Sequence, residues 1–234
     1  MFYHGYDSYM KYAFPQSDLL PLTCSGAKFE LIKIPLVTLI DTLDTLVILG
    51  NYSEFKRAVR LVSHEIRAFN FDVSVSVFET TIRVLGGLLS AHLFAIDPNL
   101  QIYSGTKGDK YDGNLLRLAI DVGNRLLPAF RTTTGIPYGT VNLLRGVPKG
   151  ETELASTAGA GSLLLEFEVL SCLSGDSKYG LAAMKAVEQL YHLRSDIDLV
   201  GKHIHIRTGK WHETISGVGS NSDSFYEYLL KSYL

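Results

Sequence analysis

Two cysteines in 234 residues are too few to staple a fold with a disulfide framework. Cys24 and Cys172 make no CxxC and no metal-ligand spacing. They can pair with each other or with separate partners, and alone they do not fix a redox compartment. No charge of one sign prevails: Lys and Arg total 22 against 24 Asp and Glu, which speaks against a nucleic-acid partner or a polybasic membrane patch. The chain has no bilayer-spanning run. Its longest apolar stretch, from Leu36 to Leu49, is short and interrupted by Asp41 and Asp44. Met1 to Asp7 has neither the basic start nor the apolar segment of a secretory leader. There is no G-x-S-x-G, no P-loop and no dinucleotide glycine pattern. The seven histidines are scattered. His203 and His205 alternate on one strand face but lack a third ligand for zinc.

What is present is an apolar, aromatic-rich chain. Hydrophobic residues make up 46%, with 13 Tyr and 11 Phe against a single Trp. That length and composition suffice for a real core. Aromatic walls suit sugars, and they suit cores as well. Helical periodicity dominates, and the pattern predicts helices over residues 3–13, 36–49, 52–68, 77–94, 113–129, 158–174, 180–195 and 224–233. Residues 136–143 and 203–211 read as short β-hairpins. Gly86-Gly87-Leu88-Leu89 echoes Gly161-Ser162-Leu163-Leu164, and Leu229-Leu230 recurs further on. Such an echo suggests repeated helix pairs, a toroid or solenoid. The chain stops within its last predicted helix and has no capping unit, which reads as truncation.

The most informative stretch runs from Phe78 to His92. At about 100° per residue, Glu79, Arg83, Gly86 and Ser90 fall on one narrow stripe of an otherwise apolar helix. Such a seam either pairs with itself or lines a cavity. Glu79 and Arg83 are therefore an i,i+4 ion pair or an acid in a pocket with its orienting cation. Ser224 and Glu227 form the pattern of a capping box, with Asp223 at the positive end of the helix dipole or aimed at a ligand. Asp41 and Asp44 stand three apart on an apolar helix, either buried with hydrogen-bond partners or part of a polar cavity. Asn51-Tyr52-Ser53 is a glycosylation sequon.

These segments together resemble glycoside hydrolase family forty-seven, the class I α-mannosidases. The resemblance runs through Met1–Asp7, Leu39–Leu46, Val77–Arg83 with Gly86–Ala91, Gly135–Tyr138, Gly161–Phe167, Thr208–Trp211 and Asp223–Lys231, in order along nearly the whole chain. The opening motif and the loop Thr157–Gly161 are most similar to the ER degradation-enhancing α-mannosidase-like subgroup. The resemblance implies an all-α fold, an incomplete toroid drawn from seven helix pairs with short β-hairpins. Residues 1–234 would be the N-terminal half of the catalytic domain. It implies inverting removal of α-1,2-linked mannose from high-mannose N-glycans of misfolded glycoproteins, in the lumen of the endoplasmic reticulum.

Residue by residue, Glu79 matches the general acid and Asp223 a second catalytic carboxylate. Arg83, Asp44 and Glu227 are the substrate-binding candidates. Asn51 is the glycosylation candidate. A Ca²⁺ ion is implied for the complete domain, with its ligand beyond Leu234, so no metal ligand is expected in this chain. An ER oxidoreductase, reached through a cysteine, is an implied partner. A third family carboxylate would also lie beyond Leu234, so the chain alone is expected to form an open arc without activity. The alternatives are a non-catalytic module binding mannose or misfolded glycoprotein, and a helical repeat scaffold.

Overall fold

A computed structural model describes residues 1–103 and 110–234. The chain opens with helix α1 (Phe2–Tyr12) and a hairpin of β1 (Asp18–Leu20) and β2 (Ser25–Ala27). Two short helices follow, α2 (Val37–Asp41) and α3 (Leu43–Ile48), then α4 (Tyr52–Glu65). The predicted single helix over 36–49 is thus broken at Thr42. The Thr42 hydroxyl donates to the carbonyl of Leu39 at 3.0 Å, one of the local bonds by which threonine competes with regular helix. Gly50, at φ 73°, ends this segment in the left-handed region that glycine enters without cost.

Strand β3 (Ser74–Ser76) leads directly into α5 (Val77–Glu79). A π-helical stretch, Thr80–Leu85, carries the same helix on into α6 (Gly86–Ile96). Then come α7 (Asn114–Leu126), a 3₁₀ turn at Leu127–Phe130 and β4 (Thr140–Asn142). The chain continues through β5 (Leu154–Ser156), α8 (Thr157–Gly161), α9 (Leu164–Ser174), α10 (Lys178–His192), β6 (His203–His205), β7 (Trp211–Glu213) and α11 (Asp223–Lys231).

Helix composition predicts position. The segments Gly86–Ile96 and Leu164–Ser174 are apolar on nearly every side, as a helix enclosed by others must be. By contrast α4, α7 and α10 keep one charged face. The packing follows: α3 lies on α4 and α6, α6 on α7, α7 on α9, and α9 on α10. The fold is therefore mainly α-helical, with successive helices stacked one on the next. One continuous core runs through it, with Phe55, Phe69, Phe167 and Phe225 among its largest fully buried side chains.

One of the two expected hairpins does not form. Residues 136–143 do not fold on themselves. Only Thr140–Asn142 is a strand, and it pairs with the distant Ser74–Ser76. Pro137 withholds a backbone donor there, and Thr132 takes up the Ile136 carbonyl instead, at 2.8 Å. The hairpin expected over 203–211 does form as β6–β7, shifted towards Glu213 by a bulge at His203/Ile204 and extended by β5 into three strands. No helix is long and apolar enough to cross a membrane among the described residues.

Candidate functional site

Three chain segments converge on one cavity. The first is the passage from β3 into α5. Ser76 is extended, and its hydroxyl accepts from the backbone N–H of Glu79 at 3.2 Å, satisfying a free donor of the first turn. The second is the passage from β5 into α8, where Ser156 does the same for Gly159 at 3.0 Å. The third is the start of α11. Between them lies a cavity of about 490 Å³, bounded also by Leu31, Phe78, Pro137 and Tyr138. Glu79, Asp223 and Glu227 all line it.

Glu79 is held from two sides. Its amide is fixed by Ser76, and its Oε2 accepts from Arg83 Nε at 2.8 Å. Only 18% of its side chain is exposed. Arg83 also reaches Asp41 at 3.2 Å and lies over the Phe29 ring at 5.4 Å. Arg83 and Asp41 line a neighbouring cavity of about 150 Å³, not the large one. Arg83 therefore backs Glu79 from behind the cavity wall. Burial pushes the Asp41 carboxyl above its ordinary range, against the opposing pull of Arg83.

The single polar stripe predicted from Glu79 to Ser90 does not persist. The π stretch takes more residues per turn than an α-helix, so the seam splits. Arg83 faces Asp41, Gly86 faces the Glu166 side chain, and Ser90 donates to Asp44 at 3.1 Å. Asp44 is thus spent on a helix-to-helix bond and lies outside the cavity lining.

The predicted capping box is also absent. Ser222, not Ser224, precedes the first residue of α11, and no side chain caps the helix. The Ser224 hydroxyl accepts from Ser162 at 2.8 Å instead, and Glu227 pairs with Lys231 at 2.9 Å. Tertiary docking wins over the local cap. A Cβ at Gly161 would come within 2.4 Å of the Phe225 ring, so only glycine lets α11 lie this close to α8. Tyr228 adds a hydrogen bond to Glu166 Oε1 at 2.8 Å. The other oxygen of Glu166 is buried without a hydrogen-bond partner, and burial raises the pKa of this carboxyl. These contacts set where Asp223 stands. Asp223 itself is exposed, and its Oδ1 accepts from the Ser224 amide at 3.0 Å.

Sequence reasoning did not single out Ser76, Ser156, Tyr138 or Glu166. The serines carried a readable signal, each lying three residues before Glu79 or Gly159 at a strand-to-helix transition. Asn51 caps α4: its Oδ1 accepts from the Glu54 amide at 3.2 Å while its Nδ2 donates to the Tyr3 hydroxyl at 3.2 Å. Cys24 and Cys172 are exposed and unpaired, so they do not bridge each other. The Ca²⁺ ion implied by the resemblance finds no ligand set here. Among the described residues no three His, Cys, Asp or Glu side chains stand together to hold a metal.

A family model described as Glycosyl hydrolase family 47 matches residues 1–234. ER degradation-enhancing alpha-mannosidase-like protein 2 of Homo sapiens is 50% identical over 235 residues, which cover 99% of this chain and 39% of the human protein. Alpha-mannosidase I MNS5 of Arabidopsis thaliana is 47% identical over 247 residues, covering 100% of this chain and 42% of that protein. The solved alpha-1,2-mannosidase from Trichoderma reesei is similar with a TM-score of 0.87 at 30% identity, over 99% of this chain and 48% of that one. The chain thus spans about two-fifths of the length of these curated relatives.

Proposed function

Since this chain belongs to glycosyl hydrolase family 47, we propose that its cavity is the sugar site of an α-1,2-mannosidase acting on high-mannose N-glycans of misfolded glycoproteins in the endoplasmic reticulum. The observation that carries this reading is that Glu79 and Asp223, from helix starts far apart in sequence, line one cavity. Inverting hydrolysis needs an acid for the leaving oxygen and a base for a water across the ring. Glu79 is the general acid. It is largely buried and its backbone is fixed by Ser76, so its proton can be delivered to one place. Asp223, exposed at the start of α11, is the second carboxylate, next to the positive end of the helix dipole.

In the reaction, water attacks the anomeric carbon as the glycosidic C–O bond breaks. The leaving oxygen takes its proton from Glu79, and the attacking water gives one up to a base. Arg83 holds the Glu79 carboxyl from behind, and Glu227 extends the polar floor. No step is assigned to a metal. Calcium in the whole domain and an oxidoreductase partner rest on the family resemblance. In this chain, two exposed thiols are all that bears on such a partner. The 234 residues alone are expected not to turn over glycan, because the resemblance places a third carboxylate outside them.

The test is incubation of the full-length protein with a high-mannose N-glycan, followed by mass spectrometry. Loss of hexose in the wild type, abolished in Glu79→Gln, supports the reading. Binding without hexose loss would assign the cavity to a lectin-like module instead.

A further inference from the structure

Helix α1 meets the start of α4 across a second cavity, of about 400 Å³. That lies within the range of small-ligand sites, about 300–1,000 Å³. It shares no lining residue with the cavity that Glu79 and Asp223 line. From α1 come Tyr3, Tyr6, Asp7 and Met10, which the helical period sets on one face. From the start of α4 come Asn51, Glu54 and Arg57. Two side-chain hydrogen bonds cross between the helices. The Tyr6 hydroxyl donates to Glu54 Oε1 at 2.6 Å, and Asn51 Nδ2 donates to the Tyr3 hydroxyl at 3.2 Å.

Asn51 is the acceptor of the sequon Asn51-Tyr52-Ser53, and its amide is held in one orientation. Its Oδ1 accepts from the Glu54 amide at 3.2 Å and from the Ser53 hydroxyl at 3.1 Å. Those bonds turn the nitrogen end of the amide towards Tyr3 and the cavity. Attachment of a glycan replaces one of the two hydrogens on Nδ2 and leaves Oδ1 untouched. The cap of α4 therefore survives the modification, and the sugar begins at the cavity.

The lining suits the sugar that comes first. Tyr3 is 43% exposed and Met10 is partly buried, so apolar side-chain surface is open to the C–H face of a ring and to an acetamido methyl. Asp7 and Lys11 are exposed and offer an acceptor and a donor to its hydroxyls. Arg57 and Glu54 form a paired charged edge, joined by hydrogen bonds of 2.6 and 2.8 Å. Covalent attachment supplies a high effective concentration, so weak contacts suffice to seat the ring.

We propose that the first N-acetylglucosamine of a glycan on Asn51 seats in this cavity against Tyr3 and braces α1 on α4, while the remaining sugars extend into solvent. Helix α1 has much to gain, since Tyr6 and Tyr9 are the buried residues among its 11. This assignment does not need the hydrolytic cavity to bind sugar.

The experiment is hydrogen–deuterium exchange on the full-length protein made in a eukaryotic secretory pathway. Four forms are compared: the intact glycoprotein, the same protein trimmed by an endoglycosidase to a single N-acetylglucosamine, and the sequon variants Ser53→Ala and Asn51→Asp. Peptide mapping by mass spectrometry should find the glycan on Asn51. The amides of α1 should exchange about five- to tenfold more slowly in the intact and trimmed forms than in the two variants, as one or two added hydrogen bonds would give. The amides of α4 should exchange alike in all four, because each keeps an oxygen at the cap. Tyr3→Ala should erase the α1 difference between the glycosylated protein and its Ser53→Ala variant. An unmodified Asn51 overturns the proposal, and so does α1 exchange that is equal in all four forms. Slowing in the intact form alone would assign the contact to the outer sugars and overturn the seat. A difference that survives Tyr3→Ala, or loosening of α4 together with α1, would overturn it as well.

Discussion

Two helix starts border the same cavity, and they share one device but carry different residues at the capped position. At the first, Ser74–Ser76 runs into Val77–Glu79; at the second, Leu154–Ser156 runs into Thr157–Gly161. Each strand buries its middle residue, Val75 or Ala155, to anchor the turn. Each ends in a serine whose hydroxyl caps the amide three residues on. The capped residue lines the cavity in both cases. It is Glu79 in one and Gly159 in the other. The device that aims the backbone is therefore the same, and the side chain at the capped position decides whether that part of the lining presents a carboxylate or only makes room. The two also differ beyond the cap. The first helix runs on through a π stretch to Ile96, while the second ends at Gly161 and yields its space to Phe225.

The largest effect is expected at the start that carries the carboxylate. Glu79→Gln keeps the shape and the serine cap but loses the transferable proton, so turnover in the full-length protein should fall by about 10²–10⁴-fold with glycan affinity retained. Turnover within a few-fold of wild type would remove Glu79 from the acid role. At the other start, a Cβ at Gly159 would lie 2.7 Å from Ser156 Oγ, so Gly159→Ala should displace the serine and cost about 1 kcal/mol of stability, read by denaturant unfolding.

Removing the caps themselves sharpens the contrast. Ser76→Ala and Ser156→Ala should each cost about 1 kcal/mol, but only Ser76→Ala should also lower turnover, because only its partner carries an acid. Equal kinetic losses would show that the two starts are not distinct in function. A similar cap outside the cavity gives a control. Asn51→Asp should retain the stability of α4, whereas Asn51→Ala should lose about 1 kcal/mol. Both should abolish any glycan-dependent gel shift at this sequon.

The smallest effect concerns how α11 is seated. Glu166 is buried with a raised pKa, so its protonated form favours the fold. That contribution is whole below the ordinary carboxyl pKa and is lost as pH rises through the raised folded value. Glu166→Gln removes the titration and can keep an oxygen for Tyr228. Its melting temperature relative to wild type should therefore rise with pH across the acid range and then level off. A difference independent of pH would show that Glu166 does not titrate in this window.

Much of this architecture is legible in the order of the amino acids. The amphipathic α4 and α7 and the all-apolar segment after Gly86 follow from spacing, since a 3.6-residue period declares which face is buried. Glu79 and Arg83 are legible as a pair because they are neighbours on one helix. Other features are not. The strand Thr140–Asn142 pairs with Ser74–Ser76, and no local pattern names a partner so far away. The π stretch that splits the Glu79–Ser90 seam has no sequence signature that the α period would reveal. Ser224 and Glu227 spell a capping box, yet Ser162 and Lys231 claim them.

The sequence by itself determined where most of the helices lie and which faces they bury, because these depend on interactions within a few residues along the chain. Only the tertiary structure decided that Glu79 and Asp223 line one cavity, that Asp44 bonds to Ser90, and that Arg83 lines a neighbouring cavity instead. Those outcomes depend on how closely α11 can approach α8 at Gly161 and on where the π turn rotates the helix that bears Glu79. Both are set by packing between elements distant in the chain.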